Sequence, residues 1–258
     1  MVLNEYGGPE ALRPADHADP KVGPAEVLIR VRAAGVNPVD WKIGAGYLDG
    51  IMETHFPIIP GWDVSGVVEQ VGLDAGEFAV GDEVIGYLRK DQVQLGTYAE
   101  LVAANVRMLA RKPAALSWEQ AAGIPLAGLT AYQSLRRVGI SSGETVLIHG
   151  ASGGVGSLGV QIARALGARV IGTASERNHD FLRELGAEPV RYGEGLAERV
   201  RELAPHVDAA LDLVGGGEVA MSQQVLADHR RVASITDPSA VEAGGHYVWV
   251  RPDATDLS

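Results

Sequence analysis

A glycine-rich turn between an apolar segment and an amphipathic segment is the part of this chain best suited to bind a ligand. Residues 146–149 (VLIH) are apolar, and residues 150–156 (GASGGVG) follow them directly. A helix that begins there directs its free N–H groups and the positive end of its dipole into the turn, which favours phosphate groups. The turn fits the dinucleotide pattern, with Ala151 in place of the first glycine. The spacing therefore predicts a pyrophosphate-binding loop.

Five residues of this turn are candidate contacts to the phosphates of a cofactor: Ser152, Gly153, Gly154, Val155 and Gly156. Gly153 has no side chain to keep the backbone away from a pyrophosphate, and Gly156 lets the helix pack closely against the sheet. The alternative is a structural turn without a ligand. The strand–turn–helix context of the glycines favours the binding interpretation.

The end of the next strand distinguishes the two nicotinamide cofactors. An NAD site usually places Asp or Glu there, about 20 residues past the glycines, to bind the ribose 2′-hydroxyl. Residues 173–175 (TAS) contain no acid, whereas Ser175 can donate a hydrogen bond to a 2′-phosphate and Arg177 can pair with it. The sequence therefore predicts NADPH. Glu176 keeps NADH open as the less favoured cofactor, and Ser175 could instead be only a helix N-cap.

Two further residues lie where strands are predicted to end and are candidate cofactor contacts. Tyr192 closes the third strand and can reach the adenosine end of a dinucleotide. Val214 closes the fourth strand, at the edge where an open sheet of this kind binds its ligand.

The elements that must position these residues fall into two halves of different pattern. After about residue 117, strand-like and helix-like segments alternate, which predicts an α/β domain with a doubly wound parallel sheet over 118–258. Its six candidate strands are 146–149, 169–173, 189–192, 207–214, 231–235 and 247–250. Residues 1–117 instead show short strands separated by glycine and proline, typical of a β-rich domain or barrel. The strand candidates there are 26–32, 64–71, 83–87 and 97–103.

The composition excludes several classes of function. The formal net charge of −11 argues against nucleic acid as a partner, since phosphate backbones bind clusters of Lys and Arg. With no cysteine, neither disulfides nor thiolate zinc sites can form. No apolar run approaches the roughly 18 residues of a membrane span, and residues 1–12 lack the pattern of a signal peptide. We expect a cytoplasmic protein that binds no membrane.

Six segments, in a fixed order, resemble one known family: 33–46 (AAGVNPVDWKIGAG), 56–72 (FPIIPGWDVSGVVEQVG), 80–87 (VGDEVIGY), 96–100 (GTYAE), 121–135 (AAGIPLAGLTAYQSL) and the glycine turn. The chain resembles the medium-chain dehydrogenase/reductase superfamily, in its zinc-independent NADPH:quinone oxidoreductase branch, which includes zeta-crystallin. The resemblance implies a GroES-like catalytic domain at 1–117 joined to a Rossmann domain at 118–258, with the active site in the cleft between them.

The resemblance also bears on metal binding. Zinc-dependent members use a Cys near residues 38–40 and a His–Glu pair near residues 61–63, where this chain reads PVD and GWD. Its seven histidines have no ligand spacing. The resemblance thus implies no zinc, so hydrogen-bond donors would have to polarise the substrate.

Carried over to this chain, the family pattern implies four catalytic-site residues. Asn37, Asp40 and Lys42 belong to the segment that faces the nicotinamide, and Thr130 lies beside it. Lys42 could bind the nicotinamide ribose, or polarise or protonate the carbonyl side of the substrate. Asp40 could pair with Lys42 and hold it in place. The alternative is that the two form only a surface ion pair.

The resemblance further implies a function, a partner and a length. The function is an NADPH-dependent reductase that transfers hydride to a small-molecule electron acceptor, either a quinone or an α,β-unsaturated carbonyl compound. An enoyl-thioester reductase and a non-catalytic NADPH-binding protein are the alternatives. Relatives continue past the sixth strand into a segment that returns to the first domain, so either the sequence continues beyond Ser258 or this member lacks that segment. A homodimer through the edge of the sixth strand is implied by the resemblance as well.

Overall fold

The computed structural model describes residues 1–258, which fall into two units. The first unit consists of Met1–Leu129 and Arg251–Ser258, and the second of Thr130–Val250. The sequence pattern changes near residue 117, but the structural boundary lies later, within the helix that spans Pro125–Arg137. Residues after 117 stay with the first unit because the helix Trp118–Ala122 packs against its strands. Residues 251–258, which the sequence analysis places in the second domain, also join the first unit, where Leu257 packs on an apolar cluster.

An antiparallel five-stranded sheet forms the frame of the first unit. In chain order, and together with the two strands of a smaller sheet, its strands are β1 (Glu26–Gly35), β2 (Glu53–Ile59), β3 (Asp63–Val71), β4 (Glu83–Tyr87), β5 (Gln92–Leu95), β6 (Leu101–Asn105) and β7 (Leu109–Arg111). The spatial order is β6-β1-β3-β4-β7, while β2 and β5 pair separately. Alternation in β1 buries Val27 and Ile29, which join Val64 and Val68 in one apolar core.

The predicted strands of this unit match the structure in part. The prediction for 83–87 coincides with β4, and those for 26–32 and 64–71 fall within β1 and β3. The prediction for 97–103 is displaced, because the N–H groups of Thr97 and Tyr98 bond the carbonyls of Gly61 and Pro60 at 2.9 Å in a loop. The strand β6 therefore begins only at Leu101. The strands β2, β5 and β7 are too short or too irregular for alternation to predict them.

A parallel six-stranded sheet forms the second unit. Its strands are β8 (Thr145–His149), β9 (Arg169–Ala174), β10 (Glu188–Arg191), β11 (Ala209–Asp212), β12 (Val232–Ser234) and β13 (His246–Tyr247). Their order, β10-β9-β8-β11-β12-β13, reverses direction between β8 and β11, which is where such sheets open a ligand crevice at their carboxyl ends. The predicted fold class, α/β with a β-rich first domain and a doubly wound six-stranded sheet, is confirmed.

Helices connect the strands of the second unit and cover both faces of its sheet. The helices used below are α1 (Pro38–Gly44) and α2 (Trp118–Ala122) in the first unit, α3 (Pro125–Arg137) at the boundary, and α4 (Gly154–Ala165), α5 (His179–Glu184), α6 (Leu196–Leu203), α7 (Glu218–Gln223) and α8 (Ser239–Glu242) in the second. Ile148 packs with Val160 of α4 on one face of the sheet, and Leu147 packs with Val200 of α6 on the other. Each such buried side chain contributes roughly 1.5–3 kcal/mol to folding. No helix in the structure has both the length and the apolar character needed to cross a membrane.

Three strands of the second unit are shorter than the runs that predict them, and one of these is β12, which occupies 232–234 of the predicted 231–235. The run 207–214 contains β11, which ends at Asp212 because its carboxylate accepts the N–H groups of Val214 and Gly215 at 2.9 and 2.8 Å and turns the chain. The run 247–250 overlaps β13 only at Tyr247.

Candidate functional site

The glycine-rich turn lies at the carboxyl end of β8 and is tied to the end of β9. Gly150 adopts a φ of +69°, a left-handed conformation that suits glycine. Its N–H donates to Thr173 Oγ1 at 3.1 Å, and the N–H of Ala151 donates to the carbonyl oxygen of Thr173 at 3.0 Å. Ser152 Oγ accepts a hydrogen bond from Asn178 Nδ2 at 3.0 Å. These bonds hold the turn in one conformation.

The helix α4 begins at the end of this turn with its first amide groups free. Gly153 is the N-cap and offers no side-chain cap, and the first turn contains no acidic residue. The first intrahelical bond runs from the N–H of Ser157 to the carbonyl of Gly153 at 2.9 Å. The three preceding amides, of Gly154, Val155 and Gly156, therefore have no acceptor within the helix. Together with the helix dipole they form a site for an anion.

Two glycines of the turn show what the predicted roles require. A Cβ at Gly156 would lie 2.2 Å from the carbonyl oxygen of Gly150, so only glycine lets α4 approach the turn this closely. A Cβ at Gly154 would meet no atom within 4 Å, which leaves open space in front of the helix. The predicted phosphate contacts thus lie together at one helix terminus, beside room for a ligand.

Past β9, the residues predicted to bind a 2′-phosphate keep their polar groups available. Ser175 precedes the 3₁₀ helix Glu176–Asn178, but its side chain makes no capping bond, so its hydroxyl is free for a ligand. Arg177 is exposed. Tyr192 follows β10, is 54% exposed, and lines the same surface depression as Ser175. These three predicted contacts therefore gather at the carboxyl ends of β9 and β10.

A buried carboxylate organises the loops at the ends of β11 and β12. Asp212 accepts the two amides that end β11 and also the hydroxyl of Ser234 at 2.7 Å. Val214, predicted as a cofactor contact, is 57% exposed beside this group. A Cβ at Gly150 would lie only 2.7 Å from Val214 Cγ2, which places Val214 against the glycine turn.

In the first unit, two of the predicted catalytic residues, Asn37 and Asp40, lie at the start of α1. The N–H of Asn37 donates a hydrogen bond to Asp40 Oδ2 at 2.7 Å, and this bond caps the N-terminus of α1. Asn37 Nδ2 donates to Asp63 Oδ2 at 2.9 Å, and the N–H of Leu126 donates to Asp63 Oδ1 at 2.9 Å. Tyr98 Oη donates to Asp40 Oδ2 at 2.8 Å. One network therefore joins α1, β3 and the loop before β6.

Burial governs the protonation of the two carboxyl groups in this network. Burial raises the pKa of Asp63, which is 1% exposed, to about 8, although hydrogen bonds from Asn37 and Leu126 act in the opposite direction. Burial also raises the pKa of Asp40, against the hydrogen bonds from Asn37 and Tyr98. The pKa of the Tyr98 phenol is raised by burial and by the Asp40 carboxylate. Asp63 is therefore mostly protonated at neutral pH.

Lys42 lies on the exposed side of α1 and does not pair with Asp40. The predicted pairing is wrong because residues two apart on a helix point in different directions, and Asp40, 6% exposed, faces the buried network. The Nζ atom of Lys42 lies 5.9 Å from the ring centroid of Trp41. The ring of Trp41 meets that of Tyr47 edge-on, with centroids 5.6 Å apart, and both rings are more than half exposed. Thr130, the fourth predicted catalytic residue, is buried in α3.

Comparison with known proteins assigns both units to one group. Residues 23–114 match the family described as Alcohol dehydrogenase GroES-like domain, and residues 154–241 match the family described as Zinc-binding dehydrogenase. A solved quinone oxidoreductase from Coxiella burnetii has a TM-score of 0.86 at 33% identity, covering 99% of this chain and 84% of the other. The chain belongs to the medium-chain dehydrogenase/reductase superfamily. The family resemblance drawn from the sequence motifs is thereby confirmed.

Two curated members of this superfamily are longer than the chain. The 2-methylene-furan-3-one reductase of Solanum lycopersicum is 36% identical over 225 residues, covering 84% of this chain and 57% of the relative. The chloroplastic NADPH-dependent alkenal/one oxidoreductase of Arabidopsis thaliana is 33% identical over 243 residues, covering 91% of this chain and 61% of the relative. The chain thus spans 57–61% of the length of these two relatives.

The nicotinamide dinucleotide of the medium-chain dehydrogenase/reductase superfamily fits the second unit. The free amides of α4 and the glycine at 156, where a Cβ would collide with backbone, match what a pyrophosphate site needs. Residues 152–156 would hold the pyrophosphate. Ser175 and Tyr192, which line one depression, and the exposed Arg177 would hold the adenosine end. Val214 would lie beside the turn.

A catalytic zinc ion, which other members of the superfamily use, does not fit the residues present here. A structural zinc site in a protein has four ligands, mostly Cys and His, and a catalytic zinc site has three protein ligands and an open position. No group of three His, Asp or Glu side chains in the structure is placed to hold a metal ion. Asp40 and Asp63, which stand at the zinc-ligand segments, are instead hydrogen-bonded to Asn37 and Tyr98.

Sequence reasoning missed several residues that shape the site. Thr173 and Asn178 anchor the glycine turn, and Asp212 shapes the loop that contains Val214. Tyr98 lies in the segment GTYAE, which contributes to the family resemblance, yet nothing in the sequence assigns its bond to Asp40. For Thr173 and Asp212 a signal exists, since each is a polar residue near the carboxyl end of an apolar strand, the edge at which such sheets bind ligands.

Proposed function

We propose that this chain is an NADPH-dependent reductase of small electron-poor acceptors, either quinones or α,β-unsaturated carbonyl compounds. Bound NADPH supplies a hydride, and the acceptor takes up that hydride and one proton to give NADP⁺ and a hydroquinone or a saturated carbonyl compound. The similarity to a quinone oxidoreductase and to an alkenal/one oxidoreductase supports both acceptor classes.

The observation that carries the choice of NADPH is the chemistry at the end of β9. Ser175 offers an unbonded hydroxyl and Arg177 an exposed guanidinium, while the one acid there, Glu176, faces Arg191. A 2′-phosphate gains charge-assisted hydrogen bonds in such surroundings. The name of the Arabidopsis relative, which specifies NADPH, supports the same choice.

Lys42 is the residue that we assign to the reacting side of the site. The buried bonds among Asn37, Asp40 and Tyr98 fix α1, so its exposed ammonium is presented from a rigid base. That ammonium can donate a hydrogen bond to a carbonyl oxygen, which gains negative charge as hydride arrives. Asp40 acts by holding α1 and not by touching the acceptor. A contact between Thr130 and the nicotinamide stays a prediction.

Steady-state oxidation of NADPH by the purified chain tests the proposal with three acceptors, a quinone, an enone and an enoyl thioester. Turnover with the quinone or the enone is the expected result. Turnover with the thioester alone would instead make the protein an enoyl-thioester reductase. Tight binding of NADPH with no turnover in any arm would make it a non-catalytic NADPH-binding protein.

A further inference from the structure

A surface depression of about 570 Å³ lies at the carboxyl ends of β9 and β10. It is lined by Ser175, Glu176, Arg191, Tyr192, Gly193, Glu194 and Arg199. Two of these residues are acids and two are arginines, so the lining carries no net charge. What the depression binds therefore depends on which of its charged groups can leave their present partners.

Arg199 is held in place, because its guanidinium donates several hydrogen bonds to backbone carbonyls at the end of β10 and in the loop that follows. Its Nε and Nη2 donate to the carbonyl of Arg191 at 3.1 and 2.9 Å, and its Nη1 donates to the carbonyl of Glu194 at 2.9 Å. Longer bonds reach the carbonyls of Tyr192 and Gly193 at 3.5 and 3.3 Å. Arg199 thus folds the loop around itself and fixes the backbone from which the side chain of Arg191 projects.

Arg191 and Glu176 are the two charged groups that can exchange partners. Arg191 Nη1 lies 3.5 Å from Glu176 Oε1, and the two side chains are 68% and 73% exposed. A long, exposed ion pair of this kind is weak and is screened by salt. Glu176 belongs to the same short segment as Ser175 and Arg177, so the pair stands directly beside the predicted 2′-phosphate contacts.

We propose that the pair formed by Arg191 and Glu176 sets the preference between NADPH and NADH, an inference that rests on the proposed function above. With NADPH, Arg191 leaves Glu176 and pairs with the 2′-phosphate, while the carboxylate of Glu176 turns into solvent. With NADH, Glu176 accepts a hydrogen bond from the ribose 2′-hydroxyl and keeps Arg191 as its partner. The two charges therefore act in opposite directions, and the site admits both cofactors with NADPH preferred.

Two substitutions of similar size separate the two charges. Arg191→Gln should weaken the binding of NADPH and of 2′,5′-ADP by about tenfold, since one charge-assisted hydrogen bond to phosphate is lost. It should leave NADH and 5′-ADP within about threefold of wild type, because the 2′-hydroxyl is bound by Glu176. Glu176→Gln should act in the reverse sense. It should tighten the binding of NADPH, because it removes a negative charge beside the 2′-phosphate, and it should weaken the binding of NADH, because it removes a strong acceptor for the 2′-hydroxyl.

Isothermal titration calorimetry of the full chain with NADPH, NADH, 2′,5′-ADP and 5′-ADP measures these affinities. The two adenosine diphosphates contain no nicotinamide, so they report on the depression independently of any turnover. Arg183→Gln is the matched control, because Arg183 lies in an exposed ion pair with Asp180 on α5, at 2.6 Å, and does not line the depression. Far-UV circular dichroism shows that each variant is folded.

The outcomes separate this inference from the proposed function. If wild type binds NADPH and Arg191→Gln binds it equally well, the inference is overturned and the proposed function stands. Equal losses for NADPH and NADH in Arg191→Gln would also overturn it, because they would report a structural effect. Wild type that binds no dinucleotide would overturn the proposed function itself, and this inference with it.

Discussion

The side-chain amide of Asn37 donates a 2.9 Å hydrogen bond to the buried carboxyl group of Asp63. The bond connects the N-cap residue of α1 with the first residue of β3, so it fixes the segment that presents Lys42. Because burial raises the pKa of Asp63 to about 8, the carboxyl group that accepts this hydrogen bond changes its protonation state within the range of ordinary buffers. The stability of the protein should therefore depend on pH through Asp63.

The contribution of Asp63 to the stability of the fold should decrease as the pH rises from about 4 to about 8. In that window the folded state holds a proton on Asp63 that the unfolded state, with a pKa of about 3.9, has released. The folded state thus binds more protons, and each pH unit lowers the free energy of unfolding by up to about 1.4 kcal/mol for this one group. Below the unfolded pKa this stabilisation is fully present, and above about pH 8 its loss is complete.

Asp63→Asn isolates this contribution, because an amide cannot titrate and the amide of Asn37 can rotate to accept from it. We expect the part of the pH dependence that is due to Asp63 to disappear in denaturant titrations of the variant across this range. Asp74→Asn, at an exposed carboxyl group, is the control and should follow wild type. Identical pH slopes for wild type and Asp63→Asn would show that Asp63 is ionised in the folded protein.

Gly156→Ala should abolish dinucleotide binding and lower stability. Its Cβ would be placed 2.2 Å from the backbone oxygen of Gly150, so the glycine turn or α4 must shift. The matched control is Gly159→Ala in the same helix, where the Cβ would meet Ile148 Cδ1 at an ordinary 3.6 Å. That control should bind NADPH normally and unfold at the same or a higher temperature, because alanine favours helix more than glycine does. Unchanged NADPH affinity in Gly156→Ala would place the cofactor elsewhere.

Lys42→Ala should lower kcat or weaken the binding of the cofactor, and it should leave the thermal unfolding temperature unchanged. Lys42 is exposed and makes no ion pair with Asp40, so its removal costs the fold little. Lys42→Arg keeps the positive charge and should retain more activity than the alanine variant. If Lys42→Ala has the same kcat and the same cofactor affinity as wild type, Lys42 is an ordinary surface residue with no role in the reaction.

Arg177→Ala should raise the KM for NADPH much more than the KM for NADH. Arg177 is exposed beside the unbonded hydroxyl of Ser175, and only the 2′-phosphate offers it a charged partner. Initial rates with both cofactors, measured on wild type and variant, decide the point. Equal effects on the two KM values would remove the basis for assigning NADPH.

The fold and the geometry of the glycine turn could be predicted because they depend on local patterns. Strand β8, the glycines at 153 and 156, and the apolar face of α4 are neighbours in the sequence, and their spacing predicts the strand, turn and helix that the structure shows. Ser175 and Val214 could be placed for a related reason, since strand ends in a doubly wound sheet all meet at one edge.

The contacts that complete the site could not be predicted, because they join residues far apart in the chain. Tyr98 and Asp40 are separated by 58 positions, and nothing in either segment specifies the other. The pairing expected between Asp40 and Lys42 is wrong because the carboxylate of Asp40 caps α1 and accepts hydrogen bonds from Asn37 and Tyr98 instead. Likewise, the partner of Glu176 is Arg191 on the next strand, which only the parallel pairing of β9 and β10 brings near.

The most direct test of a hydride-transferring reductase is isotope transfer from labelled cofactor. The full chain is incubated with an enone and NADPH deuterated at the transferred position of nicotinamide C4, and the product is analysed by mass spectrometry. A hydride-transferring reductase places the deuterium on the β-carbon of the saturated product, with NADP⁺ formed in equal amount. Bound NADPH with no product, or a product without deuterium at that carbon, would contradict the proposed function.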